Sequence, residues 1–228
     1  RRKPEAFQVD LARMALGEPW PFQDRHLSLE RVLQENSGGS PDQAPSSLLL
    51  DQMATRVEAD GSSLERYHGI IRINDKEGVD REGEQGLPGQ VVLSVRTVKP
   101  DGRILEPEQI PEKETLSLQG LEPGDLIEFE YITLRPPSGV RPNAYVTNQV
   151  FVFQDIEKPF HRTQWYLEHP DSIPMQFEER NLPSPGVRGK NGSTRWVDWD
   201  YRSMPRIARE PDTPNRQLYL VLQGGKAM

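Results

Sequence analysis

Two carboxylates one residue apart, Glu128 and Glu130 in the stretch LIEFEYI, have the spacing that most invites a catalytic reading. Paired acids do acid and base work when a closed pocket and a third group shift their pKa values. In an extended chain, residues two apart share a face. Leu126, Glu128, Glu130 and Ile132 therefore point one way, and Ile127, Phe129, Tyr131 and Thr133 the other. The aromatic face is expected to enter the core. The acids are expected to meet water or a basic side chain on a neighbouring strand, and a solvated surface is their expected role.

The four histidines, His26, His68, His161 and His169, form neither an H-x-H nor an H-E-x-x-H spacing. A zinc site would have to be assembled from distant strands, and no metal or cofactor is expected. No G-x-S-x-G occurs, and DGSS reads as a hairpin turn rather than a serine nucleophile. The absence of cysteine removes disulfides, thiolate ligands and cysteine nucleophiles together. The densest charged run, NDKEGVDREGE, fails the register of a calcium loop because Lys76 and Gly78 fall where oxygen ligands belong. A solvated loop is expected there, with weak calcium binding through Asp75, Glu77 and Asp80 as the lesser reading.

Aromatic residues offer a different chemistry. In RWVDWDYR, Trp196 and Trp199 fall on opposite faces of a strand, and Trp165 and Tyr166 in TQWYLEH divide the same way. One of each pair is expected in the core and the other at the surface, where aromatics stack on sugars or anchor a protein partner. Trp196, Trp199, Trp165 and Tyr166 are thus the candidate partner-binding residues, with plain packing as the competing role. No residue is assigned to catalysis.

The elements that must position these side chains are mostly strands. MATRVEAD and LERYHGIIRIN flank Asp60-Gly61, a hairpin signal, and QVVLSVRTVKPDGRIL repeats the design around Pro100-Asp101-Gly102. Pro123-Gly124 has the residues of a type II turn leading into the Glu128 strand. TNQVFVFQD, FHRTQWYLEH, TRWVDWDYR and NRQLYLVLQ continue the alternation. Residues 1–46 differ: Phe7, Leu11, Met14 and Ala15, then Leu29, Val32 and Leu33, have helical spacing, and SGGSPDQAPSS follows as a flexible connector. The expected fold is mainly β, an antiparallel two-layer β-sandwich over residues 47–228 preceded by a short helical segment and linker over residues 1–46.

Composition narrows the partners. With 28 basic against 35 acidic residues the net charge is −7, which repels phosphate backbones, so nucleic acid is not expected. No stretch approaches the roughly 20 apolar residues of a membrane span. The chain opens on RRKPEAF, without an initiator Met or an apolar leader, as expected of a piece of a longer protein.

LERYHGIIRINDKEGVD, VVLSVRTVKPDGRIL, LQGLEPGDLIEFEYI and TRWVDWDYRSMPRIAREPDTPN occur in that order. Together they resemble the domain of unknown function that precedes the transglutaminase-like domain in many bacterial envelope proteins. The resemblance spans about residues 48–225 and implies a sandwich used as an accessory module beside a domain with a Cys, His, Asp catalytic set. This cysteine-free chain cannot contain that nucleophile. The resulting expectation is a non-catalytic accessory or protein-interaction module of a periplasmic or cell-envelope protein, its partner a protein or an adjacent domain. The alternative is a carbohydrate- or peptidoglycan-binding module using exposed tryptophans.

Overall fold

A tight turn at Asp60-Gly61 joins β1 (Ser46–Val57) to β2 (Ser63–Ile73). Gly61 takes the positive φ of 84° that the turn requires, and Asp60 Oδ1 accepts from Ser62 N at 2.9 Å. The computed structural model describes residues 17–36, 44–86, 91–109, 115–137, 146–207 and 219–224. The helix expected around Phe7, Leu11, Met14 and Ala15 lies outside them.

The turn at Pro123-Gly124 also forms, with Gly124 at φ 96° and Asp125 N donating to Glu122 O at 3.1 Å. It leads into β8 (Leu126–Arg135), which pairs antiparallel with β2 and with β4 (Val91–Val98). A third turn, at Pro100-Asp101-Gly102, returns β4 to the short β5 (Ile104–Leu105). Lys99 ties two of these turns together: its buried ammonium donates to Asp125 Oδ2 at 2.8 Å and Gly120 O at 2.5 Å.

On the other side of β1 lie β10 (Phe160–Pro170), β13 (Thr194–Met204) and β12 (Val187–Asn191), completing an eight-stranded sheet of order β12-β13-β10-β1-β2-β8-β4-β5. The expectation of an antiparallel fold is corrected here. β1 and β10 run parallel, with Asp51 opposite Thr163 and Met53 opposite Trp165. Alternation identifies a strand but not its neighbour, and a parallel pair needs a long crossover that leaves no local turn signal. Two three-stranded sheets accompany the large one. One is formed by β3 (Glu84–Gly86), β7 (Thr115–Ser117) and β6 (Glu108–Gln109), the other by β11 (Met175–Arg180), β14 (Tyr219–Gly224) and β9 (Val146–Val152).

Both faces of the large sheet are covered, which is why β1 carries the nearly unbroken buried run SSLLLDQMAT. On one face Met53, Ile71, Ile127, Trp165 and Trp199 share a core with Phe151 and Phe153, and with Leu116 and Leu118. Phe129 packs against this core half-buried, as the aromatic face was expected to. On the other face Leu49, Leu50, Ile70 and Leu126 meet Leu27 and Val32, while Ala54, Ile132 and Tyr166 meet Phe22. Residues 17–36 thus lie on the sheet as a strap. Their helix α1 (Leu29–Glu35) starts where Ser28 Oγ accepts from Arg31 N at 3.4 Å and buries Val32.

The run NDKEGVDREGE is largely exposed, as expected, but it is not a loop: it holds helix α2 (Lys76–Glu82). Asp75 caps it by accepting from Gly78 N at 2.9 Å, so one of the proposed calcium ligands is spent on the backbone. A Cβ on Gly78 would stand 2.1 Å from Pro45 O, which explains a glycine inside so short a helix. At its end Glu82 is buried, accepting from Ser46 Oγ at 2.8 Å and pairing with Lys158 at 2.6 Å.

Candidate functional site

Glu128 and Glu130 are not solvated. They are 4% and 9% exposed, on the face of β8 that the strap covers. Alternation on β2 brings Arg66 and His68 to the same face, and alternation on β4 brings Arg96, so three adjacent strands present opposite charges. His68 Nε2 lies 3.1 Å from Glu128 Oε1, and Arg96 Nε donates to Glu128 Oε2 at 2.6 Å. Arg66 Nε donates to Glu130 Oε1 at 2.8 Å, and the strap supplies His26, whose Nδ1 is 3.2 Å from the same oxygen. The His26 ring stacks on His68 with centroids 4.8 Å apart and planes 13° apart.

Burial would raise the Glu130 carboxyl, but the His26 hydrogen bond and the charge of Arg66 outweigh it and hold the group at about 2. Glu128 is lowered in the same way, burial being outweighed by His68 and Arg96. Both therefore stay ionised at neutral pH. Buried charges at this depth are tolerated only because each is paired and hydrogen-bonded.

The polar row continues across the sheet. Gln52 Nε2 donates to Gln164 Oε1 at 2.8 Å and to Arg25 O of the strap at 3.1 Å, and Gln164 Nε2 donates to Asp198 Oδ1 at 2.9 Å. The Arg25 guanidinium sits 3.2 Å from the centre of the Tyr166 ring. Arg162 grips Asp200 through two nitrogens, at 3.1 and 2.7 Å, while Arg162 and Arg202 hold Glu35 of α1 at 3.2 and 2.8 Å. Arg66 Nη1 donates to Pro21 O at 2.9 Å. The arrangement works as a clamp: sheet-face charges fix the strap at both ends and in the middle.

On the opposite face another buried acid, Asp51, is held by hydroxyl groups. Asp51 Oδ1 accepts from Tyr67 Oη at 2.7 Å, and Oδ2 accepts from Thr163 Oγ1 at 3.0 Å. No cation balances it in these bonds. Burial pushes Asp51 up to about 6 against the two hydrogen bonds, and burial beside Asp51 raises the Tyr67 phenol well above its usual value.

The aromatic candidates fall mostly inside. Trp165 and Trp199 are 0% exposed; their indole nitrogens donate to Thr55 Oγ1 at 2.9 Å and Glu179 Oε1 at 2.8 Å. Neither presents a surface to a ligand. Tyr166 is buried under Arg25, and Trp196 is half-buried on the same face, 6.2 Å from it between ring centres. Trp196 lies against Gly189 on β12, where a Cβ would stand 2.2 Å from its ring. The four residues are therefore not one patch: Trp165 and Trp199 share the inner core, and Tyr166 and Trp196 the strap face. The cluster of His26, Arg66, His68, Glu128 and Glu130 was not foreseen. Its one sequence signal is that R-x-H on β2 and E-x-E on β8 each alternate onto a single face.

The family model described as a domain of unknown function with solved structure, DUF3857, matches residues 111–208. A solved structure from Parabacteroides distasonis, described as that of a putative protease, is similar with a TM-score of 0.64 and 19% identity. The likeness covers 78% of this chain and 40% of that one, so the chain spans about two fifths of its length. At that identity the likeness is one of fold alone. No curated protein matches the sequence. Among the described residues, no helix is long and apolar enough to cross a membrane.

Proposed function

We propose that the chain is a non-catalytic accessory module of a larger bacterial envelope protein, exported to the periplasm, where it positions an adjacent transglutaminase-like domain or contacts a protein partner. The observation that carries this reading is the state of the ionisable groups. Glu128 and Glu130, the acids with the most catalytic spacing, are tied to Arg96, His68, Arg66 and His26 in a clamp that orders the N-terminal strap. A general acid or base needs a pKa near the working pH and a path to substrate, whereas Glu130 is held at about 2 beneath the strap. Similarity to two fifths of a longer protein supports a module within a larger assembly. The same reading takes the large sheet and the two small ones as the layers of a sandwich, supported by the core that Trp165, Phe153 and Leu116 share.

The test is a deletion in the longer protein. Removing residues 17–228 should lower the turnover of the neighbouring domain or its hold on substrate, and the isolated chain should turn over none of that substrate. Turnover by the isolated chain that Glu130→Gln abolishes, with the fold intact, would overturn the proposal.

A further inference from the structure

The place where the strap meets the sheet has the donor set of a metal site. One donor atom from each of His26, His68 and Glu130 lies within 4.8 Å of the other two. Two ligands bound at about 2.0–2.1 Å to one tetrahedral ion stand about 3.3 Å apart. His26 Nδ1 and Glu130 Oε1, 3.2 Å apart, already have that spacing. To complete the set the third donor must close by up to about 1.5 Å, and the His26 ring must turn out of its stack on His68 so that both in-plane lone pairs aim at one ion. Two imidazoles and a carboxylate are ligands that zinc and its neighbours among divalent ions accept.

A second, independent observation comes from His68. Its Nε2 faces Glu128 Oε1 at 3.1 Å, and an ionised carboxylate only accepts, so Nε2 carries the hydrogen. In the neutral ring Nδ1 is then a bare lone pair. That atom is buried in a residue 2% exposed and has no hydrogen-bond partner. A buried acceptor without a donor is costly. An imidazole that donates one nitrogen to a carboxylate and keeps the other bare is how proteins hold a metal-binding histidine. Glu128, itself held by Arg96 at 2.6 Å, would be the carboxylate that orients the ring.

We propose that His26, His68 and Glu130 bind a divalent transition cation of the zinc class, with water completing its coordination, and that the ion pins the N-terminal strap to β2 and β8. The sequence gives no H-x-H because the ligands come from three separate elements. Arg66 shares Glu130 Oε1, yet it has other acceptors in Pro21 O at 2.9 Å and Gln23 Oε1 at 3.5 Å. Its charge opposes the incoming ion and weakens the binding. The His26 side chain is 25% exposed, which leaves the site a side from which an ion enters.

The probe is Co2+ added to the chelator-treated full chain. The expected result is one equivalent bound, with the visible absorption of a low-coordinate Co2+ ion, displacement by Zn2+ and a rise in melting temperature that chelator reverses. His26→Gln and His68→Gln should each weaken binding by at least ~10-fold. His169→Gln, which touches none of the ligands, should leave it unchanged. His26→Gln keeps the test decisive if His68→Gln fails to fold, because His26 lies on the strap and not in the sheet. Absence of both absorption and thermal shift in the native chain would overturn the site, as would binding that survives His26→Gln in the folded protein.

Discussion

Asp51→Asn should stabilise the protein at pH 8 by up to about 3 kcal/mol, a shift of roughly two units at about 1.4 kcal/mol each. The folded-state value of about 6 lies above the ordinary aspartate value of 3.8, so the folded chain holds this proton more tightly than the unfolded one. Below about pH 4 the carboxyl is neutral in both states and burial carries no charge penalty. Stability is then lost as the pH rises from about 4 to about 6, and the loss stays constant above. Asparagine keeps both contacts, accepting from Tyr67 Oη through its oxygen and donating to Thr163 Oγ1 through its amide. Urea unfolding of both proteins from pH 4 to pH 8 checks the point. The curves should coincide near pH 4 and diverge above it, and parallel curves would show that Asp51 does not titrate as described.

Arg66→Met should cost about 3–5 kcal/mol, because it leaves the buried Glu130 carboxylate without its closest cation. The same change frees Pro21 O, so the strap should loosen before the sheet melts. Hydrogen exchange over residues 20–36 should rise ahead of that over β1 and β2. Adding Glu130→Leu to Arg66→Met should recover much of the loss, since an apolar pair of similar volume often replaces a buried ion pair at little cost. Glu130 is lowered from 4.5 to about 2, so its contribution is complete above about pH 4.5 and fades as the pH falls towards 2. A loss under about 1 kcal/mol for Arg66→Met would mean that the pair is a surface contact in energetic terms.

The turns were legible because their chemistry is local. Asp60-Gly61, Pro100-Asp101-Gly102 and Pro123-Gly124 each place glycine where φ is positive, and the strands between them follow. Helix α1 was legible from Leu29, Val32 and Leu33. Helix α2 was not, because Val79 is its one large apolar residue and gives no period; the signal was Asp75 as a cap. The burial of Glu128 and Glu130 was illegible for a different reason. Alternation placed them opposite the aromatic core and suggested a basic neighbour, but their cover comes from a strap whose His26 is 104 residues away from Glu130. Long-range cover is also what hides Tyr166 beneath Arg25. Opposite faces for Trp196 and Trp199 were readable; that the second face is covered as well was not.

Whether this cysteine-free chain serves a neighbouring domain is decided by reading the coding sequence on both sides of it. The expected result is a downstream domain carrying a Cys followed by a His and an Asp, with a secretion signal upstream. A reading frame that closes directly after Met228, with no such domain attached, would contradict it.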